Sequence, residues 1–279
     1  MTFHGPPYGS SNFMLREYSS HISSRRSVND LLSNQSIRNS IKASIIIQMA
    51  TLAACYATWV MDGCDPYMPF ISDTDTNPAS SPFFTLGFTL TGLSLCIIAW
   101  QMYKVRSEWI ESNSLGTKPR MLNTFSANLG IISGLFIIWI AYTPWDENLS
   151  LHLLQARVIF ASSIAWAILS TMLAKVMQVN DIRFEQVFKA RRDRTVFTVV
   201  CCALMALNVV RYVGLGDSAS LELSHFVSYV DTVEICTDLS ISEMSLAALF
   251  EWGMVLGLIS VVHTGILETD LISSDESEE

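Results

Sequence analysis

The stretch CDPYMPFISDTDTNP, which ends at Pro78, carries side chains that could bind a metal ion. Asp73, Asp75 and Asn77 match the first half of an EF-hand calcium loop, D-x-D-x-N. Such a loop requires Gly at its sixth position and a bidentate Glu at its twelfth. This chain has Pro78 and Phe84 at those positions, so the match does not indicate an EF-hand.

Other catalytic and metal chemistries are also excluded by residue type and spacing. Asp73-Thr74 begins like the Asp-Thr-Gly of aspartic proteases, but Asp75 follows and the chain has no second Asp-Thr-Gly to share the proton. A zinc site needs clustered Cys and His ligands, whereas the histidines are scattered: His4, His21, His152, His225 and His263. Because phosphate-loop, Gly-x-Ser-x-Gly and nucleic-acid-binding patterns are missing as well, we expect no catalytic residue, metal, cofactor or nucleic-acid partner.

The segments on both sides of this stretch are long apolar runs. Half of the 279 residues are hydrophobic and 15% are charged, which is unusually apolar for a soluble domain of this size. Spans of a bilayer take about 20 residues and are helical at that length. Six runs meet this requirement with almost no charge on any face: 43–61, 83–103, 121–143, 154–177, 196–215 and 245–267. The sequence therefore predicts an all-α bundle of six transmembrane helices.

Lys and Arg residues alternate along the connections between these runs. The N-terminal tail, the second loop and the fourth loop carry five, four and five, whereas the loops over 62–82, 144–153 and 216–244 carry none. The positive-inside rule then makes both termini cytoplasmic and turns the acidic odd-numbered loops outward. We expect a disordered or amphipathic tail over 1–42, a six-span domain over 43–267 and an acidic tail over 268–279.

Three motifs resemble those of a known family. PFISDTDTNP resembles the signature Pro-[Tyr/Phe]-Ile-Ser-Asp-Thr-Gly, LHLLQARVIF resembles Leu-His-x-x-x-Ala-x-x-x-Phe at the start of the fourth span, and ALFEWGMVLG resembles Cys-Glu-Trp in the last span. These motifs are typical of the DRAM family, the damage-regulated autophagy modulators. The first motif covers Pro69, Phe70, Ile71, Ser72, Asp73 and Thr74. The chain departs from the family at Asp75 (Gly), at Ser80 or Ser81 (often Glu) and at Phe250 (Cys).

The resemblance implies several functions. The DRAM family suggests a membrane regulator of autophagy, lysosomes or lipid signalling, which acts through membrane lipids or a membrane-protein partner. Its expected location is the lysosomal or endosomal membrane, or the plasma membrane as for the related fasting-inducible proteins. A related branch remodels GPI-anchor lipids, which implies a lipid-remodelling alternative that uses a polar pocket in the outer leaflet. A channel or transporter accessory subunit is the third alternative, although no span has the gaps or charge rings typical of those proteins. The oligomeric state is left open.

Four polar residues are predicted to lie at similar depth near the outer ends of the spans: Glu251, Arg211, Arg157 and His152. An ionisable residue inside a span is a functional hypothesis by default. At about 1.5 Å per residue, Glu251 lies about 9 Å below the outer boundary and both arginines about 5–6 Å below it. We predict that Glu251 contacts Arg211 or Arg157, either as a lock between helices or as a polar pocket with His152.

Two pairs of glycines occur at the spacing that lets helix backbones approach closely. They are Gly130-x-x-x-Gly134 in the third span and Gly253-x-x-x-Gly257 in the sixth. Such pairs are common in membrane helices, so we expect them to pack within one bundle and not at a dimer interface.

Cys64 and Cys236 are the two cysteines in outer loops, one in the first and one in the fifth. The compartment outside the cytoplasm is oxidising, and thiols there tend to pair. The sequence therefore predicts a disulfide that ties the Pro-rich first loop to the long last one. The remaining cysteines lie in or beside the spans.

Two glycosylation sequons test the predicted orientation: Asn34-Gln-Ser36 and Asn148-Leu-Ser150. With both termini cytoplasmic, only Asn148 meets the lumenal machinery, and its closeness to the membrane can keep it unmodified. Glycopeptide mass spectrometry of the full chain should find a glycan on Asn148 or on neither site, with Asn34→Gln and Asn148→Gln as controls. A glycan on Asn34 would contradict the orientation.

Overall fold

The structure, a computed structural model, describes residues 32–214, 233, 236 and 241–276, with side chains to residue 272. Its elements in chain order are α1 (Asn34–Met61), α2 (Asp73–Thr76), α3 (Ser81–Ser112), α4 (Thr117–Ile140), α5 (Leu149–Asn180), a 3₁₀ turn (Ile182–Phe184), α6 (Glu185–Val213) and α7 (Ser242–Glu276). No strand occurs within these residues. The all-α prediction is confirmed.

Six of these helices, α1 and α3 to α7, are long and apolar enough to cross a membrane. They coincide with the six predicted spans and extend beyond them at most ends. The hydrocarbon core is about 30 Å thick and takes about 20 helical residues, so the additional turns reach the interfaces. The chain is a multi-pass membrane protein, and the orientation of its termini stays a prediction.

The first and last helices begin and end outside the predicted spans. Ser33 caps α1 by accepting a hydrogen bond from the amide of Ser36, so residues 34–42 continue the first span. Ile37 and Ile41 are fully buried in the bundle instead of lying on the membrane surface. At the other end, α7 continues to Glu276 through much of the predicted acidic tail. Residues 1–31 of the predicted N-terminal tail lie outside the described residues.

The six long helices form a ring in which each packs on the next along the chain, and α7 closes the ring against α1. The connections α1–α3, α4–α5 and α6–α7 share one end of the bundle, which we name the cap side. The connections α3–α4 and α5–α6 share the other end with the first residues of α1 and the last of α7. We name this end the terminus side.

Both predicted glycine pairs lie at contacts inside this ring. A side chain at Gly134 would collide with the backbone of α3 at Gly92, and one at Gly130 would meet Ala99 and Trp166. On the last helix, a side chain at Gly257 would collide with the hydroxyl of Thr198 on α6, and Gly253 lies against the same helix. The small residues thus bring neighbouring helices of one bundle together.

Buried charges join four helices on the terminus side. Glu268 of α7 accepts hydrogen bonds from Arg106 of α3 at 2.6 and 2.8 Å and from Arg191 of α6 at 2.6 Å. Arg191 also donates to the hydroxyl of Thr264 and to the carbonyl oxygen of Ser170 on α5. All three charged side chains are at least 95% buried, so these partners replace the water that the bilayer cannot supply.

Removing the shared carboxylate should destabilise the bundle strongly. Glu268→Ala leaves two guanidinium groups buried without a counter-charge, which costs about 3–5 kcal/mol of the free energy of unfolding. Asp270→Ala, two residues further along α7, is the matched control because its pair with Arg38 is about 40% exposed and contributes at most about 1 kcal/mol. Denaturant unfolding in detergent micelles measures both, and equal losses for the two variants would contradict this role of Glu268.

Candidate functional site

The chain between α1 and α3 forms an ordered cap over the bundle. At its start, the indole N–H of Trp59 donates to the carbonyl oxygen of Asp65 and the hydroxyl of Tyr56 to that of Pro66. The predicted disulfide between Cys64 and Cys236 is confirmed, with Cα atoms 4.9 Å apart. The cap is therefore fixed both to the first helix and to the last connection.

The signature segment of the cap folds into a chain of tight turns. The carboxylate of Asp73 accepts from the amide of Phe70 at 2.8 Å, and the hydroxyl of Thr74 donates to the carbonyl oxygen of Ile71 at 2.6 Å. The side chain of Asn77 accepts from the amides at the start of α3, as Asx turns do. Because these side chains satisfy the backbone locally, the segment lies buried without a sheet or a long helix.

Glu251 attaches this cap to the last helix. Its carboxyl group accepts a hydrogen bond from the amide of Ile71 at 2.8 Å, and it is 7% exposed. The next residue, Trp252, donates its indole N–H to the carbonyl oxygen of Pro69 at 2.9 Å. The Glu-Trp motif of α7 and the signature of the first loop therefore bind each other directly.

The predicted ion pair of Glu251 with Arg211 or Arg157 is wrong. No salt bridge in the described part of the chain joins these residues, and both arginine side chains are exposed. Long basic side chains near helix ends extend to the interface and keep their charge hydrated. The backbone N–H of the cap supplies the partner that a guanidinium was expected to supply.

His152 lies in the first turn of α5, whose N-cap is Asn148. Its ring nitrogen Nδ1 is 2.7 Å from the carbonyl oxygen of Thr143. A carbonyl oxygen only accepts hydrogen bonds, so Nδ1 carries the proton and Nε2 is left as an acceptor in the neutral ring. The predicted glycosylation residue Asn148 is exposed and accepts from the amide of Leu151.

Beneath the cap lies a cavity of about 140 Å³ with mostly apolar walls. Ser72, His152 and Glu251 line it near the cap, and Ala99, Trp166 and Val262 line it deeper in the bundle. The structure thus brings His152 and Glu251 to one cavity, while Arg211 and Arg157 lie outside it. From His152 to Trp166 the cavity follows α5 for about 21 Å, at about 1.5 Å per residue. It is formed by α1, the cap, α3, α4, α5 and α7.

Asp75 is a second buried carboxylate of the cap, and no pattern in the sequence predicted its burial. It is 4% exposed; one oxygen accepts from the hydroxyl of Ser81 at 3.0 Å, and the other has no hydrogen-bond partner among the residues that the structure describes. The pKa of Asp75 is raised to about 7, mainly by burial; the carboxylates of Asp146 and Glu147 also raise this pKa, and the hydroxyl of Ser81 lowers it. The described residues contain no group of side chains suited to hold a metal ion.

The sequence predicted a polar pocket with His152 and Glu251, but not the long apolar cavity below these residues or the buried role of Glu268. A cavity depends on how side-chain volumes fit together in space, and no spacing in the chain encodes that directly. For Glu268 a signal did exist, because Arg106 and Arg191 are charged residues close to helix ends that could need a buried partner.

The whole chain was also compared with known proteins. The family model described as the Frag1/DRAM/Sfk1/Cwh43P N-terminal domain matches residues 43–270. The chain belongs to this family. That match confirms the resemblance drawn from the three motifs and covers all six long helices apart from the first nine residues of α1 and the last six of α7. No match was found among individually curated proteins or among solved structures.

The cap of this family member should tighten as the pH falls. The pKa of Asp75 rises from 3.8 to about 7 on folding, so between these values the closed cap binds more protons than the open one. The stabilisation is complete below about pH 4 and is lost as the pH rises through 7. Asp75→Asn mimics the protonated carboxyl group and should remove this dependence.

The thiol of Cys55 reports on cap opening because it is 1% exposed and lies beneath Thr74 and Ile71. We expect wild type and Asp75→Asn to label at similar rates at pH 4, where the carboxyl group of Asp75 is protonated in the closed cap and to a substantial part in the open cap. At pH 8 the wild type should label severalfold faster than Asp75→Asn, because the carboxylate of Asp75 is then charged in its buried site. Comparing the two proteins at one pH cancels the intrinsic reactivity of the thiol. A rate ratio that does not change with pH would rule out control by Asp75.

Proposed function

We propose that this protein is a DRAM-like membrane regulator that binds the acyl chain of a membrane lipid in the cavity beneath its cap. The cavity itself carries the proposal, because it is long, mostly apolar and formed by five of the membrane-spanning helices. Lipid chains are the apolar ligand available at this depth. Ligand sites between the helices of a bundle are common and have a few polar groups on apolar walls.

The dimensions of the cavity fit one leaflet. It follows α4 for about 15 Å from Gly130 to Ile140 and α5 for about 21 Å, at about 1.5 Å per residue. Half of the hydrocarbon core is about 15 Å thick. The length of the cavity therefore matches that of a single acyl chain extended from the cap to the middle of the membrane.

The ring also offers a route from the bilayer to the cavity. Helices α5 and α7 both line the cavity, yet they pack on each other far less than either packs on α6. Phe160, Trp166 and Leu258 line the cavity from these two helices and remain partly exposed. Because α6 lies between α5 and α7 in the ring, a lipid chain would enter beside α6 at the level of these side chains, without passing the cap.

Lipid remodelling is the second candidate function, because Ser72, His152 and Glu251 line the same cavity. A nucleophile has to lie beside a base for acyl transfer, and the free Nε2 of His152 is the available base. No hydrogen bond joins Ser72 to His152 in the described part of the chain, which favours binding over chemistry. The channel alternative has less support, since Trp166 and the buried Glu268 group fill the bundle below the cavity.

The proposed location is the lysosomal or endosomal membrane or the plasma membrane, with the cap side toward the lumen or the exterior. The distribution of Lys and Arg supports this orientation. In that arrangement the cap, which contains Asp73 and Asp75, lies in an oxidising compartment. This location agrees with the disulfide of the cap. A membrane-protein partner would bind differently to the lipid-bound protein and to the protein with an empty cavity.

Filling the cavity tests the proposal. Val255 and Leu256 are neighbours on α7, but Val255 lines the cavity and Leu256 is 40% exposed on the outside. Val255→Trp should reduce the amount of lipid that co-purifies with the protein about tenfold, which corresponds to about 1.4 kcal/mol of binding free energy. The lipid is measured by mass spectrometry after mild delipidation. Leu256→Trp should leave it unchanged.

Ala156→Phe fills the cavity from α5 and provides an independent second variant. Thermal unfolding in the same detergent identifies variants that retain the fold. If a folded Val255→Trp or Ala156→Phe protein holds as much lipid as Leu256→Trp, the cavity is not the lipid site and the proposal fails.

A further inference from the structure

Asn128 is exposed on the outer surface of α4, close to the middle of the membrane. At about 1.5 Å per residue, it lies roughly 17 Å from the first residue of this helix and about 18 Å from the last. The hydrocarbon core is about 30 Å thick, so both interfaces are far from this side chain. Lys and Arg near helix ends extend their long side chains to the interface, but Asn is too short to do so.

The amide group of Asn128 has no hydrogen-bond partner among the residues that the structure describes. Three other asparagines, Asn113, Asn180 and Asn208, each donate to the carbonyl oxygen four residues earlier in their own helix. Asn128 makes no such bond. A polar group without a partner is unfavourable in hydrocarbon, where water cannot replace the missing bond. A partner for this amide therefore has to come from outside the ring.

The side chains around Asn128 form a continuous exposed stripe, which we name the outer seam of α4. Its residues follow each other at alternating spacings of four and three: Met121, Phe125, Asn128, Ile132, Leu135 and Trp139. This alternation is the pattern of two helices that pack along each other. An apolar stripe alone suits lipid equally well, and the exposed side chains of α6 over 196–207 are all apolar. The amide at the centre distinguishes the seam of α4, because polar side chains join membrane helices by hydrogen bonds across their interface.

A second copy of this chain complements the seam. Copies in one membrane have the same orientation, so the two-fold axis of a dimer is perpendicular to the membrane. Two α4 helices then pair in parallel, and each seam residue faces its own copy at the same depth. An amide is both donor and acceptor, so the two Asn128 side chains can donate to each other. The seam carries no charge that would repel its copy.

We propose that the outer seam of α4 is the interface of a parallel homodimer, in which the two Asn128 side chains hydrogen-bond to each other in the middle of the membrane. The proposed lipid site does not enter this inference, because α4 lines the cavity with other residues, among them Ser133 and Ile137. The glycine pair of α4 also stays at its contacts inside the ring.

Förster transfer between donor-labelled and acceptor-labelled full chains in liposomes, over a series of protein-to-lipid ratios, measures dimerisation. Asn128→Leu should weaken the dimer about tenfold, because it removes both hydrogen bonds across the interface. Asn128→Gln keeps an amide and should retain most of the affinity. Thr124→Val is the matched control: it also removes an exposed polar group of α4, but this hydroxyl already donates to the carbonyl oxygen of Arg120. Thermal unfolding in detergent checks that each variant keeps the fold.

Cysteine crosslinking locates the interface. Ile132→Cys lies one turn from Asn128 on the seam, whereas Phe197→Cys lies on the exposed surface of α6. Oxidation in liposomes should link Ile132→Cys to its own copy severalfold more than Phe197→Cys. Wild type gives the background from the free cysteines in the helices.

Three results would overturn the dimer: wild type that stays monomeric at every ratio, Asn128→Leu that associates as well as wild type, or equal crosslinking at the two cysteine positions. Crosslinking of Ile132→Cys to a different membrane protein in cells, with no link to its own copy, would also overturn it. That result would assign the seam to a helix of another protein.

Discussion

The cap side of this bundle depends on the hydrogen bond between the carboxyl group of Glu251 and the amide of Ile71. A buried carboxyl group without a partner is unfavourable, and so is a buried peptide N–H without an acceptor. Each group therefore supplies the hydrogen-bond partner that the other needs at a depth where water is scarce. The turns around Asp73 and Thr74 are closed by local bonds, so this bond and that of Trp252 set where the whole cap lies on α7. These two hydrogen bonds therefore fix the position of the cap above the cavity.

The other end of α7 repeats the same principle with different partners. Glu268 lies 17 residues after Glu251, which is about 25 Å at the rise of a helix, close to the roughly 30 Å of the hydrocarbon core. There two guanidinium groups, Arg106 and Arg191, hold the carboxylate instead of a peptide group. The last helix thus carries one anchored carboxyl group near each end, and the cavity lies between them. Because both anchors join α7 to other parts of the ring, the cavity is kept open without a filled core.

Much of the fold could be predicted from the sequence because hydrophobic length decides it. The six spans, the disulfide and the family follow from apolar runs, from the two cysteines in outer loops and from three ordered motifs. The partner of Glu251 could not be predicted, since every residue except proline has a backbone N–H and the sequence does not mark which of them binds a side chain. Two positions at which the chain departs from the first-loop motif meet in space, because Asp75 accepts a hydrogen bond from Ser81, one of the two serines that stand where the family often has Glu. In the sequence, each of these residues is only a departure from the family motif. In the structure, the two form a hydrogen-bonded polar pair beneath the cap.

We propose that the space between these two anchors holds a lipid chain. A cryo-electron microscopy map of the full chain in nanodiscs made from cellular lipid extract would show it. We expect a continuous rod of density about 15–20 Å long, comparable to one leaflet, running from the level of Glu251 toward Trp166. Its upper end should lie within hydrogen-bond distance of Glu251, His152 or Gln48. Closed walls with side chains filling this space, or separate water peaks instead of a rod, would contradict it.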